Sequence, residues 1–219
     1  MTALREELAA FAGRSLPSGT VVAATGDGLR RAARVTDALC ARYRPSLLIG
    51  AGVAGALTAD LSVDDIVVAH RILDRDGETP WPQGVLVVSA AAKPGARQGT
   101  LRSVDRPVVS VAEKASLALE AGPPPAAVDM ESAAWARVAA ARGIPFLIIR
   151  IVSDTAEEAL PGYLSECMDS EGGIRRSAVA LQALADPGTI PTLWRMRRRV
   201  AECSARLAAF VTAFAAEVA

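Results

Sequence analysis

The sequence predicts a single α/β domain, in which helices cover both faces of a central mixed, twisted sheet in a three-layer α/β/α arrangement. Short apolar segments with strand character alternate along the chain with helical segments of ten or more residues, which is the pattern of such folds. Hydrophobic residues make up 51% of the 219 residues, enough for a large core. Neither a linker nor an internal repeat divides the chain, so we predict one domain over residues 1–219.

Each element follows from its own local pattern. Leu4, Leu8 and Phe11 share one face of a predicted helix over residues 3–12. Apolar runs that end at glycine, proline or polar residues predict strands. The predicted strands are residues 20–25, 45–51, 65–70, 85–89, 98–104 and 145–152, and the further predicted helices are residues 29–42, 111–121, 132–142, 174–185 and 190–217.

Charge and cysteine content narrow the classes of function. Lysine plus arginine and aspartate plus glutamate both number 24, so the net charge gives no indication of a nucleic-acid partner. Three cysteines in no ligand spacing and one histidine predict reduced thiols, no metal site and a cytoplasmic location. The first residues contain acids rather than an apolar core, which is not typical of a signal peptide. No apolar run reaches the length of a membrane span.

Carboxylates stand at both ends of a helix–strand unit between Val128 and Asp154. Asp129 and Glu131 precede the helix, and Asp154 ends the strand that follows it. If this strand packs against the segment before the helix, Glu131 and Asp154 come close together, and buried carboxylates need partners. The alternative is that Glu131 lies in the first turn of its helix and Asp154 caps the next element. Polar or glycine-rich turns at other strand ends favour a small-molecule site.

Two glycine-rich segments partly match phosphate-binding motifs. The turn at residues 25–28, Thr-Gly-Asp-Gly, precedes a helix but lacks the lysine of a P-loop. Residues 50–55 match G-x-G-x-x-G, yet no substantial helix follows before the strand near Ile66. We therefore reject a dinucleotide site, and close packing of this backbone against a flat ligand stays open.

The segment AVDMESAAWARVAAARGIPFLIIRIVSD resembles the signature of the nucleoside phosphorylase and nucleosidase superfamily. The turn at residues 25–28, the segment GAGVAGALTADLSVDDIVVAH and Ser103-Val104-Asp105 follow the family's order, so the resemblance covers about residues 3–185. It looks closest to the methylthioadenosine/S-adenosylhomocysteine nucleosidases. The segments ALPGYL and DPGTIPTLWRMRRR are similar to hopanoid-associated members, which remove adenine from adenosylhopane.

The resemblance implies cleavage of the N-glycosidic bond of an adenine nucleoside with a modified, apolar 5′ substituent. Asp154 would donate a proton to N7 of the base, and the apolar strand end before it is expected to keep it protonated. Glu7 would orient the attacking water, although the family's first strand, which should precede it, is missing. The substrate-binding residues that the resemblance implies are Glu131 for the ribose hydroxyls, Met130 for the sugar, Ser153 beside Asp154, Val108 for the base, and Thr25, Gly26, Ala54 and Gly55.

Two alternatives remain for the chemistry. Water is the favoured acceptor, because Ile49 stands where several phosphorylases have an arginine; phosphate as co-substrate is the alternative, received by residues 25–28 and Arg30. No other cofactor is expected. A non-catalytic nucleoside-binding module is the second alternative, since the first strand is missing.

The resemblance and the last helix also imply partners. The family indicates a homodimer that binds a small-molecule nucleoside, with no nucleic acid. Trp194 and several arginines lie near the start of the predicted helix over residues 190–217. This pattern is typical of a peripheral membrane contact, and also of a packed helix whose polar face is exposed to solvent. The loop over residues 155–173 is expected to close over the 5′ end of the sugar.

Overall fold

The computed structural model describes residues 1–218, apart from the side chains of Arg176 and Ala183. It contains one six-stranded sheet and seven helices in the described residues. The strands are β1 (Leu48–Ala56), β2 (Ile66–Asp74), β3 (Gly77–Glu78), β4 (Ala96–Ser103), β5 (Ala126–Asp129) and β6 (Phe146–Asp154). The helices are α1 (Arg5–Ala9), α2 (Leu29–Tyr43), α3 (Gly84–Ala91), α4 (Val111–Ala121), α5 (Ser132–Ala141), α6 (Arg176–Ala185) and α7 (Ile190–Val218).

The sheet is mixed, as predicted, and it is strongly curved. Its strand order is β3-β2-β4-β5-β1-β6, and β2 also pairs with β6. The pairs β1–β6, β2–β4 and β4–β5 are parallel, whereas β1–β5, β2–β3 and β2–β6 are antiparallel. The strands before and after α5 are therefore not neighbours, because β1 lies between them, and the acids at their ends flank β1.

Helices pack on both sides of this sheet, which confirms the α/β fold class. Side chains of β6 alternate between two apolar clusters, as a strand buried on both faces requires. Ile148 joins the cluster that contains Trp135 of α5 and Ala32 of α2. Ile149 joins the cluster that contains Leu207 of α7, so the layer under α7 is a separate part of the core.

The predicted strand at residues 85–89 is wrong, because these residues belong to α3. Val87 and Ala90 are buried three positions apart, while Val85 and Val88 are exposed. This is a helical spacing, and a short apolar run does not by itself distinguish a buried strand from a helix.

The predicted strand at residues 20–25 is also wrong in extent, since it makes only one isolated parallel bridge, between Thr2 and Ala24. Thr2 donates to Ala23 O at 3.0 Å, and on the other side Ala51 N donates to Met1 O at 2.8 Å. Residues 1–2 thus lie between β1 and residues 23–25, and no strand precedes α1 in the described chain. Beyond this bridge a cavity of about 560 Å³ separates residues 16–23 from residues 45–49, so no ladder extends there.

The other predicted elements are confirmed with shifted ends. β1 continues through residues 50–55 to Ala56, and β2 continues to Asp74. No helix begins at the G-x-G-x-x-G segment, so the rejection of a dinucleotide site is supported by the fold. Within residues 1–218, no helix combines the length and the apolar character that crossing a membrane requires.

Candidate functional site

Asp154 is held at the end of β6 by two donors. Its Oδ2 accepts from Nζ of Lys114 at 2.6 Å, and its Oδ1 accepts from Oγ of Ser153 at 2.7 Å. The Ser153 hydroxyl also lies 3.3 Å from the carbonyl oxygen of Ala54 on β1. Asp154 does not cap a following element. We call Asp154, Ser153, Lys114 and Gly55 the aspartate cluster. The strand end before Asp154 is apolar, as predicted, but the Lys114 ammonium, which was not predicted, also contacts the carboxyl group.

A second cluster surrounds Arg150, which is fully buried in β6. Its Nη2 lies 2.5 Å from Oδ2 of Asp129 and 3.2 Å from Oε2 of Glu131. Its Nε donates to Oγ of Ser132 at 3.1 Å, and its guanidinium carbon lies 4.6 Å from the centroid of the Trp135 ring. We call these five residues the arginine cluster. A buried guanidinium with this many partners compensates carboxylates that would otherwise be costly to bury.

Glu7 reaches the same place from α1. Its Oε2 accepts from the backbone N–H groups of Ala3 and Leu4, each at 2.8 Å, and its Oε1 accepts from the N–H of Val53 at 2.8 Å. Only 3% of Glu7 is exposed. The N-terminal segment therefore places this carboxyl beside β1, although no strand precedes α1 in the described residues.

Burial shifts the titration of both glutamates. Burial raises the pKa of Glu7, and the Arg150 guanidinium opposes this shift. Burial likewise raises the pKa of Glu131, to about 8, with Arg150 again opposing and with Asp129 and Glu7 raising it further. The cause is that a low-dielectric interior disfavours the charged carboxylate. Near neutral pH, the raised pKa of Glu131 therefore favours its protonated form.

The glycines of β1 make room for both clusters. A Cβ at Gly52 would collide with Nη1 of Arg150 and lie 2.8 Å from Oε1 of Glu7, and a Cβ at Gly55 would lie 2.7 Å from Oδ2 of Asp154. Three residues of strand span about 10 Å. Gly52 and Gly55 therefore place the two clusters about 10 Å apart along β1.

Gly52→Ala is expected to lower the free energy of unfolding by about 1–3 kcal/mol, because the added methyl group overpacks a buried, charged contact. Gly84→Ala is the matched control, since nothing lies within 4 Å of its Cβ position at the start of α3. That control should be neutral or stabilising by up to about 1 kcal/mol. Urea unfolding measures both, and equal stability of the two variants would contradict this role of Gly52.

Glu131 precedes α5 rather than lying in its first turn, and its side chain makes no capping hydrogen bond. Instead, its Oε1 accepts from the backbone N–H of Gly28 at 3.1 Å. This bond joins the turn at residues 25–28 to the arginine cluster. The prediction that Glu131 lies in the first turn of its helix is therefore wrong, and its carboxyl group makes long-range contacts instead.

Most of the other predicted site residues lie beside one of the same two clusters. The Thr25 hydroxyl accepts from Nε1 of Trp135 at 3.1 Å, Gly26 has the positive φ of a left-handed turn, and Met130 lies half-buried between Asp129 and Glu131. Gly55 belongs to the aspartate cluster, and the carbonyl oxygen of Ala54 borders it at Ser153. Val108 is buried with Leu57, Leu117 and Val128 in the segment that leads into α4.

Residues 155–175, which we call the covering loop, lie over the turn at residues 25–28. Arg31 pairs with Asp169 at 2.6 Å and with Glu171 at 2.8 Å. The backbone of Gly172 approaches Gly28 so closely that a Cβ at Gly28 would collide with its carbonyl oxygen. This loop must move for a ligand to enter from that side.

Sequence reasoning missed Arg150 and Lys114. Both had a signal: Arg150 interrupts an apolar strand, and Lys114 shares the buried face of α4 with Leu117 and Ala121. Charged residues at buried positions need partners of opposite charge. Among residues 1–218, no group of three or more potential His, Cys, Asp or Glu ligands is arranged to hold a metal ion.

A family model identifies the superfamily of this chain. The family model of the phosphorylase superfamily matches residues 13–186. The chain belongs to the phosphorylase superfamily. The resemblance of the helix–strand unit at residues 127–154 is thereby confirmed, and so is the prediction of an enzyme of the nucleosidase or nucleoside phosphorylase kind.

Nucleosidases are among the relatives of this phosphorylase superfamily member. The chain is 27% identical over 194 residues to a 5′-methylthioadenosine/S-adenosylhomocysteine nucleosidase of Shewanella halifaxensis, an alignment that covers 79% of this chain and 84% of the relative. It is 29% identical over 168 residues to the nucleosidase of the same name from Actinobacillus succinogenes, covering 67% and 73%.

Solved structures of the superfamily share the fold. A point mutant of the Helicobacter pylori nucleosidase with 5′-methylthioadenosine in its active site has a TM-score of 0.72 at 19% identity, covering 99% of this chain and 96% of that one. The futalosine hydrolase of the same organism has a TM-score of 0.72 at 18% identity, covering 99% and 95%. At such identities the likeness establishes the fold.

Proposed function

We propose that the chain hydrolyses the N-glycosidic bond of an adenine nucleoside. The observation that carries this proposal is the pair of buried acidic clusters along β1, with Asp154 at one and Glu131 and Glu7 at the other. Asp154 donates a proton to N7 of the leaving base, and Ser153 orients its carboxyl. Glu131 binds the ribose hydroxyls while Met130 packs on the sugar. Asp154 thus acts on the base, and Glu131 acts on the sugar.

Glu7 is proposed to orient the attacking water. Three backbone N–H groups fix its carboxyl, and Arg150 lies beside it near Gly52. A carboxyl group held in this way can accept a hydrogen bond from water on the sugar side of the site. Val108 and its apolar neighbours line the side of the base.

Water rather than phosphate is the proposed acceptor. The N–H of Gly28, which would be a donor to phosphate, is already bonded to the Glu131 carboxylate. Arg31 is paired with two acids of the covering loop, and Arg30 is exposed. A multiply charged anion needs free cationic or N–H donors, and this turn presents an acid instead.

The 5′ substituent is proposed to be apolar. The covering loop contributes Leu160, Tyr163, Leu164 and Met168, of which Leu164 is buried and the others are half-buried. The names of the relatives include a methylthio nucleoside, and the hopanoid-associated resemblance extends the proposal to lipid-like 5′ groups. Both fit a loop with these side chains.

A substrate panel with free adenine as the readout tests the proposal. It contains 5′-methylthioadenosine, S-adenosylhomocysteine, adenosine and an adenosine with a long alkyl group at C5′, each with and without phosphate. We expect adenine release at a rate that does not depend on phosphate, with preference for apolar 5′ groups. Strict dependence on phosphate would instead establish a phosphorylase. If no nucleoside of the panel released adenine, the alternative of a non-catalytic binding module would be favoured.

A homodimer is proposed on the basis of an exposed apolar patch. Trp81, Val85 and Val88 are 67%, 76% and 62% exposed, and α3 is apolar on all sides. Such a helix is normally covered on both faces. Sedimentation velocity should give a dimer, and Val85→Glu together with Val88→Glu should give a monomer; a wild-type monomer would contradict the proposal.

Peripheral membrane contact through the start of α7 is proposed as well. Trp194 and Ile190 are 62% and 49% exposed, and Leu184 of α6 is 76% exposed. Arg195, Arg197 and Arg198 are exposed beside them. Co-sedimentation with anionic vesicles at low salt should occur with the wild type and weaken with Trp194→Ala, because apolar insertion and charge both contribute. Equal recovery with and without vesicles would refute this contact.

A further inference from the structure

Lys114 is buried in a place where α4 would otherwise present an apolar residue. Only 1% of it is exposed, and it shares one helical face with Leu117 and Ala121. Its Nζ has three acceptors: Oδ2 of Asp154 at 2.6 Å, the carbonyl oxygen of Thr155 at 2.6 Å and the carbonyl oxygen of Glu158 at 3.0 Å. The ammonium group is therefore fully coordinated by the end of β6 and the start of the covering loop.

Stability alone does not explain a lysine at this position. The desolvation of two charges generally offsets their attraction, and apolar residues of similar size often replace a buried ion pair without loss. The contacts of Lys114 instead fix the orientation of the Asp154 carboxyl group. Lys114 holds Oδ2 of Asp154 while Ser153 holds Oδ1, so the plane of the carboxyl group is defined.

Asp154 supplies the carboxylate that contacts the Lys114 ammonium. Glu158 turns its own carboxylate away, to Arg199 at 2.6 Å and 2.7 Å. Only its carbonyl oxygen, with that of Thr155, faces Lys114. The two carbonyls can keep the ammonium in place when Asp154 is neutral, and the carboxylate gains a cation when Asp154 is charged.

We propose that Lys114 is a positioning residue for Asp154 and the counter-charge of the carboxylate that forms when Asp154 protonates the leaving base. The inference rests on the proposed function. In this step the O–H bond of Asp154 breaks, an N–H bond forms at N7, and the electron pair of the glycosidic bond goes to the base. Water forms the new C–O bond at C1′ and releases its proton to solvent. Lys114 stays protonated throughout, and Asp154 regains its proton from solvent after the products leave.

A leaving group that needs no protonation distinguishes this role from a structural one. 4-Nitrophenolate departs unprotonated, so a 4-nitrophenyl riboside with the 5′ group of the best nucleoside substrate serves as the second substrate. Lys114→Met, which keeps the length of the side chain, should lower kcat for adenine release about a hundredfold, the lower end of general-acid contributions. KM for the nucleoside and the rate of 4-nitrophenol release should stay within about threefold of wild type, because neither depends on the proton transfer.

Two further variants complete the experiment. Lys93, which pairs with Glu217 at the surface, gives the control Lys93→Met, and both activities should match the wild type. Lys114→Arg keeps the positive charge and should recover part of the adenine activity. If Lys114→Met does not fold, Lys114→Arg tests the same role: its rate of adenine release should fall more than its rate of 4-nitrophenol release. Equal losses on both substrates, or no loss on either, overturn the role of Lys114. A wild-type protein that releases no adenine overturns the proposed function instead.

Discussion

Asp154→Asn is expected to lower kcat for adenine release by a factor of about 10² to 10⁴, the usual contribution of a positioned general acid. The amide keeps the shape of the carboxyl group and can still accept from Ser153 or Lys114, but it has no carboxylic proton to donate. KM should change little, because the lost interaction belongs to the transition state. Single-turnover measurements of adenine release, paired with calorimetric titration of the nucleoside, separate the two quantities.

The matched control for this substitution is Asp37→Asn. Asp37 pairs with Arg142 at the surface, and its side chain is 60% exposed, so the same chemical change there should leave kcat unaltered. If Asp154→Asn released adenine at the wild-type rate, another group would have to be the proton donor. Unchanged nucleoside binding with no adenine release from either protein would indicate a binding module.

The local pattern of the sequence predicted the positions of acids well, because strand ends and helix starts are encoded by neighbouring residues. α4 begins and ends where the amphipathic pattern and the prolines after Gly122 predict. Asp154 lies at the end of β6, as its place after an apolar run indicated. Long-range pairing was not encoded in this way. The insertion of β1 between β5 and β6 depends on contacts between residues 71 to 99 positions apart, and no local sequence period predicts it.

The partners of the acids were harder to predict for the same reason. Arg150 and Lys114 were visible as charges among apolar residues, but their contacts depend on tertiary packing. Residues 85–89 show the opposite problem. Their valines have high strand propensity, yet tertiary packing buries Val87 and Ala90 at helical spacing and leaves Val85 exposed. Propensity is a weak guide where the neighbours of a segment decide its conformation.

Arg150→Met is expected to lower the free energy of unfolding by about 3–5 kcal/mol, the usual result of removing one partner from a buried ion pair. Arg150 is fully buried and lies within 3.2 Å of both Asp129 and Glu131, so its loss leaves acids in the core without a cation. Urea unfolding at constant pH measures the change. Arg142→Met is the control, since its ion pair with Asp37 is partly exposed and should contribute less than about 1 kcal/mol.

The pH dependence of this loss has a definite sign. Burial raises the pKa of Glu131 from its usual 4.5 to about 8, so the folded state binds more protons than the unfolded state between these values. Stability therefore falls as pH rises through that window. Arg150 opposes this shift, and without it the pKa of Glu131 rises further. The deficit of Arg150→Met should thus be larger at pH 8 than at pH 5, and adding Glu131→Gln should reduce the difference between the two pH values. A deficit independent of pH would mean that lost packing against Trp135, rather than uncompensated charge, dominates the effect.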